Sequence, residues 1–331
     1  MKITKAPLLS LVVILSACQS SPAIKSETHF LFDSFVNVAI KDGTDEDFKN
    51  IKDILEKYDA VSDNFKKREV INVYSWSQTE EKIYFGSGED KAPIELLNLI
   101  RSSFNAVWDG ARNLDPRLGS LINKWKEAEK QGQVLEDSVI QEELQKRSLS
   151  SFSFHYDDEN IEECFIEQSG VSSFDYGATA KGCALDACKR YLDTKEELTD
   201  YLINGGSSSI LLGTNSRNKS GDYLIKIKEL ESTSFYAQNC FVSTSGTSEQ
   251  GVTINGVRYS HIINPSTGSA VTNYDEVIVI SDNGTYGDAF STSMMYNTID
   301  EIKDLDEKLN LKTIVIKDKE VFYKNKGIIL K

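Results

Sequence analysis

Between Phe30 and Tyr58 the apolar residues change their spacing, and that change limits the folds open to the chain more than any other feature. Phe30, Phe32, Val36, Val38 and Ile40 recur at a period of two, which predicts a first strand over 30–40 with these side chains on one face. From Asp45 to Tyr58 the period becomes three and four, and Phe48, Ile51, Ile54, Leu55 and Tyr58 make one stripe of an amphipathic helix. The same alternation continues. A helix is predicted from about Pro93 to Trp108, strands over 151–156 and 162–167, a helix over 183–192, a strand over 276–280 and a helix from about 287. A helix over 301–309, a strand at 313–316 and a closing hairpin complete the pattern. The whole chain has only five prolines, and Val, Ile, Tyr and Phe are abundant, so the fold class is α+β with mixed or antiparallel sheets and flanking helices. Residues 126–147 are charged and read as a helical, solvated face, whereas 70–76 fits strand or loop equally.

The N-terminus has a different composition. Lys2 and Lys5 precede an apolar run from Leu8 to Leu15, then Leu15-Ser16-Ala17-Cys18, which reads as an export signal over 1–17, too short to span a bilayer. The placement of Cys18 resembles a bacterial lipobox, which implies lipidation of Cys18, a flexible tether over 18–27 and a domain over 28–331. That domain would be held at the extracytoplasmic face of the cell membrane by acyl chains. An ordinary Ala-x-Ala-like cleavage with an incidental cysteine is the other reading. Loss of the two leader lysines takes the formal charge from −14 to about −16, which excludes nucleic acid as a natural partner. Cys164, Cys183, Cys188 and Cys240 remain; with no C-x-x-C among them they read as mostly buried thiols rather than a zinc or redox site.

Chemistry-bearing residues gather in a few stretches. Phe174-Asp175-Tyr176-Gly177-Ala178-Thr179-Ala180-Lys181-Gly182 brings small residues and a lysine to a helix start, where backbone N–H groups can meet an anion; an ordinary tight turn would look alike. Gly205-Gly206 permits close backbone approach to a ligand, or marks a bulge. Ser243-Thr244-Ser245-Gly246 ends a strand in hydroxyls, and the Asn255-Gly256 hairpin leads into Tyr259-Ser260-His261-Ile262-Ile263-Asn264-Pro265. His261 lies a few residues before that turn, as a structural group or as a catalyst. Asp288 and Thr292, four apart on a helix, face the same way and suit Mg²⁺ or Ca²⁺ completed by phosphate and water; Asp288 also reads as a helix N-cap.

In this order the segments resemble the ApbE-like FAD:protein FMN transferases over nearly the whole chain after the leader. Asn113-Leu114-Asp115-Pro116-Arg117-Leu118-Gly119-Ser120-Leu121 looks like A-F-D-P-T-V-G-P-L, and residues 175–186 look like D-L-G-G-I-A-K-G-Y-A-V-D. Thr244-Ser245-Gly246, Tyr259–Pro265 and Asp288-Ala289-Phe290-Ser291-Thr292 look like T-S-G, Y-S-H-I-I-D-P and D-A-L-S-T. The resemblance implies an ApbE-like, T-fold-like architecture and an enzyme that moves FMN from FAD, its substrate, onto a Ser or Thr hydroxyl of an exported or membrane electron-transfer flavoprotein, releasing AMP. It further implies that Asp288, Thr292, Ser291 and the Ala178 carbonyl hold Mg²⁺ on the pyrophosphate. Phe32, Phe65, Asn113, Leu114, Asp115, Asp175, Lys181 and Ile263 would line the FAD, and His261 would face the reacting phosphate as general base or hydrogen-bond donor. The chain departs from the pattern at Phe32-Asp33-Ser34 for Met-Gly-Thr, Ala178 for Gly, Ser207 for Asp and Asn264 for Asp. An FAD pyrophosphatase releasing FMN and AMP, or a flavin-binding lipoprotein without turnover, are the alternative functions.

Overall fold

The computed structural model describes residues 24–331 except 79–81, 89, 158, 172, 207, 231 and 249–250. The leader, Cys18 and residues 18–23 of the tether lie outside the described residues, as does Ser207. The tether assignment is corrected at its end: β1 (Ile24–Leu31) begins four residues before the expected domain boundary, and Ile24 pairs with Lys41.

The expected strand over 30–40 is two strands. The chain reverses at Phe32 and Asp33, both in the left-handed region (φ 53° and 52°), and β2 (Ser34–Lys41) returns antiparallel to β1. Reversal flips the parity of the pattern. Phe30 pairs with Phe35, exposed on one face, while Val36, Val38 and Ile40 are buried on the other. Helix α1 (Asp45–Ser62) follows, opened by a capping box in which Thr44 accepts from the Asp47 N–H and Asp47 accepts from that of Thr44. The ambiguous segment 70–76 contains a short helix, α2 (Val73–Ser77), capped by Asn72. After β3 (Ile83–Tyr84), α3 (Ile94–Asp109) buries Leu96, Leu97, Ile100 and Phe104 as its spacing predicts. Residues 126–147 fall in two helices, α4 (Gly119–Lys130) and α5 (Asp137–Leu149), and Trp125, Ala128, Ile140 and Glu143 are buried in them.

Strands β4 (Ser151–His155) and β5 (Phe165–Ser169) join β3 in a three-stranded sheet of order β3-β5-β4, with β5 in the middle. Then come α6 (Ala180–Leu192), β6 (Tyr201–Gly205), β7 (Ser209–Leu212), the hairpin β8 (Tyr223–Lys226) and β9 (Ser234–Ala237), and β10 (Cys240–Gly246). The Asn255-Gly256 turn joins β11 (Gly251–Ile254) to β12 (Val257–Ser260) as expected. The chain ends with β13 (Glu276–Ser281), α7 (Gly284–Met294), α8 (Ile299–Leu309), β14 (Lys312–Lys317) and β15 (Glu320–Lys324).

Eight strands form one antiparallel sheet in the order β1-β2-β6-β7-β10-β13-β14-β15. Helices α6 and α7 pack on its central strands, with α1 and α3 against them. The β8–β9 hairpin covers part of the other face, so Val277 and Val279 enter the helix-side core while Ile278 enters the hairpin-side core. Both faces of β13 are thus buried, and its sequence is a nearly continuous apolar run. Cys164, Cys183, Cys188 and Cys240 are buried and unbridged.

Candidate active site

Two glycines bring α6 and α7 into backbone contact. A Cβ on Gly182 would lie 2.2 Å from the Gly284 carbonyl oxygen, and one on Gly284 would lie 2.6 Å from the Gly182 oxygen. Asp186 fixes the approach: its carboxylate accepts from the N–H groups of Gly284 (2.6 Å) and Thr285 (2.9 Å) and from the Thr285 hydroxyl (2.6 Å), so α6 supplies partners for the open first turn of α7. Gly287 sits equally close to the sheet, where a Cβ would meet Ser243 Oγ at 2.6 Å.

Asp288 lies in the junction so formed, one turn inside α7. The cap reading is overturned, because Asn283 is the N-cap and accepts from Tyr286 N–H (2.8 Å). Asp288 Oδ1 accepts from Ser243 Oγ (2.6 Å) and Ser209 Oγ (2.8 Å), and Oδ2 accepts from the Gly182 N–H (2.7 Å). Burial pushes its pKa up to about 6, against the opposing pull of the Ser243 and Ser209 hydroxyls, Lys181 and the Gly182 N–H. In a regular helix that N–H would close the ladder onto the Ala178 carbonyl. Turned to Asp288 instead, it leaves the Ala178 oxygen without that bond. One step along α7, Ser245 Oγ lies 3.0 Å from both Ser291 Oγ and Thr292 Oγ1.

The spacing argument for Asp288 and Thr292 therefore found their helix and shared junction, but not the residues that hold them. Ser209, Ser243 and Ser245 carried a signal: Ser243 and Ser245 are two apart on β10 and so face α7 together, and Ser209 is the cross-strand partner of Ser243. The donor set is one carboxylate, several hydroxyls and a carbonyl. Among the described residues no group of three or more His, Cys, Asp or Glu is placed to hold a metal. All-oxygen donors with a single carboxylate fit a hard cation that takes its remaining ligands from phosphate and water.

Lys181, next to Gly182, donates to Ser208 Oγ beside the paired glycines. Asp175 accepts from Gly177 N–H (2.8 Å) and from Asn64 Nδ2 (2.7 Å), which brings it to the loop of Phe65, a half-exposed ring. Phe32 is partly buried in the turn between β1 and β2, its N–H donated to Asp59 Oδ1 (2.7 Å). The 113–115 loop is engaged with the protein itself: Asn113 bonds to Ser293 and Asn297, and Asp115 pairs with Arg117 (2.8 Å) and Arg147 (3.4 Å). Leu114 packs with the core around Ile262, and the Ile263 side chain is buried among Leu118, Leu121 and Trp125. These two side chains are core contacts.

His261 follows β12 in a bend, half-buried beside α4, and with Trp125, Lys126 and Tyr259 it lines a cleft of about 10 Å³. The next carbonyl, of Ile262, accepts from Tyr296 OH (2.7 Å), which ties the histidine segment to the chain leaving α7. Asn264 Oδ1 accepts from the N–H groups of Ser266 (2.8 Å) and Thr267 (3.2 Å), closing the turn.

The sequence model of the ApbE family matches residues 32–315. An FAD:protein FMN transferase of Rhodobacter capsulatus is 32% identical over 126 residues, covering 36% of this chain and 23% of that protein. One of Klebsiella pneumoniae is 28% identical over 201 residues, 60% of this chain and 61% of that protein. The chain thus spans less than two thirds of the length of either relative. The crystal structure of the ApbE protein of Thermotoga maritima superposes with a TM-score of 0.74 at 20% identity, covering 92% of this chain and 98% of that one.

Proposed function

Because the chain belongs to the ApbE family, we propose that it is a flavin transferase that moves FMN from FAD onto a Ser or Thr hydroxyl of an exported or membrane flavoprotein and releases AMP. The observation that carries this reading is the buried Asp288, held by Gly182 N–H, Ser209 and Ser243 beside the Ser245, Ser291 and Thr292 hydroxyls. Asp288, Thr292, Ser291 and the Ala178 carbonyl would hold Mg²⁺. Bound there, the cation would neutralise charge on the pyrophosphate oxygens.

The acceptor oxygen bonds to the FMN phosphorus as the bridging bond to AMP breaks, and the hydroxyl proton passes to a base. His261 is the residue for that proton, or for a hydrogen bond to a phosphate oxygen. Lys181 and the N–H groups at the start of α6 receive phosphate charge. Phe32, Phe65 and Asp175 line the flavin nucleotide, while Asn113 and Asp115, through the bonds described, hold the loop that borders it.

We place the enzyme at the extracytoplasmic face of the membrane, anchored through lipidated Cys18. Among the described residues no helix is long and apolar enough to cross a membrane.

Incubating the protein with FAD, Mg²⁺ and a candidate acceptor tests the reading. An FMN mass increment on a Ser or Thr of the acceptor is expected. Free FMN and AMP with no adduct across several acceptors would replace transfer by pyrophosphatase activity, and intact FAD would leave a binding protein.

A further inference from the structure

Helix α4 supplies a cation between two parts of the proposed flavin site. Its residues Ile122, Trp125, Lys126 and Glu129 recur at three and four and line the cleft that also contains Tyr259 and His261. On the other side the Lys126 Nζ lies 4.3 Å from the centroid of the half-exposed Phe65 ring. One lysine thus touches the loop expected to line the flavin and the cleft of the histidine expected to face the reacting phosphate. Glu129, one turn on, accepts from the Gly251 N–H (3.1 Å), so its carboxylate is engaged with the β11 backbone.

We propose that Lys126 is a phosphate-binding residue of this site, moving its ammonium from the Phe65 ring to the phosphate groups of FAD. The proposal rests on the flavin-transferase reading above. Three considerations favour it. The cleft has room for about one water, too little for a phosphate, so an anion approaching His261 meets the residues at its rim, and Lys126 is the cation among them. A cation over a half-exposed phenyl face is held weakly, whereas an ammonium-to-phosphate hydrogen bond is charge-assisted and stronger, so the exchange runs toward the ligand. The chain also carries a net charge of −14, so attraction for an anionic ligand has to come from cations placed at the site.

The test is a titration of FAD into the full chain without Mg²⁺, followed by flavin fluorescence at low and moderate salt, for wild type, K126Q and K126R. K126Q should bind FAD roughly ten- to a hundredfold more weakly, the loss expected for a charged hydrogen bond, with a shallower dependence on salt. K126R should keep most of the affinity, and all three should melt at the same temperature. FAD affinity of K126Q within twofold of wild type overturns the proposal, as does K126R binding as weakly as K126Q, which would make the stem and not the charge responsible. Wild type failing to bind FAD with Mg²⁺ as well as without it overturns both this proposal and the flavin-transferase reading, whereas a K126Q result within twofold of wild type overturns this proposal alone.

Discussion

Asn264 stands where the family pattern has an aspartate, and its hydrogen bonds explain why the turn survives the exchange. The amide oxygen accepts the two N–H groups that a carboxylate would accept, those of Ser266 and Thr267. Asn264→Asp is therefore expected to change FAD turnover by less than about tenfold, measured as AMP release. Asp288 and Asn283 make a sharper contrast on one helix. Asn283→Ala removes the cap and should cost about 0.5–2 kcal/mol of stability with turnover nearly intact. Asp288→Asn keeps the shape but removes the charge from the junction, so turnover should fall about a hundredfold or more while the melting point moves little. Paired melting curves and AMP assays on the two variants check both. In sequence, Asp288 stands near the start of an apolar helical run, where a cap also stands. What the sequence leaves invisible is that Ser209 and Ser243, on strands far along the chain, converge on its carboxylate.

Among the elements, the helices α1 and α3 are legible because their apolar residues keep one period over ten or more positions, and β13 because it is a short, nearly continuous apolar run. The β1–β2 turn was missed because a two-residue reversal with no glycine leaves that period apparently unbroken from Phe30 to Ile40. The capping box of α1 gives a pH prediction. Burial disfavours the Asp47 carboxylate, but hydrogen bonds from the Thr44 hydroxyl, the Tyr191 hydroxyl and the Thr44 N–H, with Lys195 nearby, outweigh it and leave its pKa lowered from 3.8. A lowered folded value means that the stability it contributes is present above pH 3.8 and lost as pH falls through that folded value. Asp47→Asn should therefore be less stable than wild type in urea at neutral pH, and the difference should shrink in acid. Gly182→Ala tests the helix junction. With a Cβ 2.2 Å from the Gly284 oxygen and 2.9 Å from Asp288 Cγ, α6 and α7 must part, and losses of about 1–3 kcal/mol in stability and most of the turnover are expected.

Across the whole molecule, the acidic charge bears on location. A chain of net −14 is repelled by anionic lipid headgroups, so retention at a membrane would depend on acyl chains at Cys18. Cys18→Ala should move the protein from the membrane pellet to the soluble fraction after export, as fractionation and blotting would show. The glycine contact between α6 and α7 has a different kind of consequence, for anyone recombining relatives of this protein. Gly182 and Gly284 are 102 positions apart in the chain yet share one backbone contact. A chimera with a single crossover between them takes the two halves of that contact from different parents. Unless the parent of the first half carries glycine at 182 and the parent of the second half glycine at 284, it inherits a collision at the centre of the candidate active site.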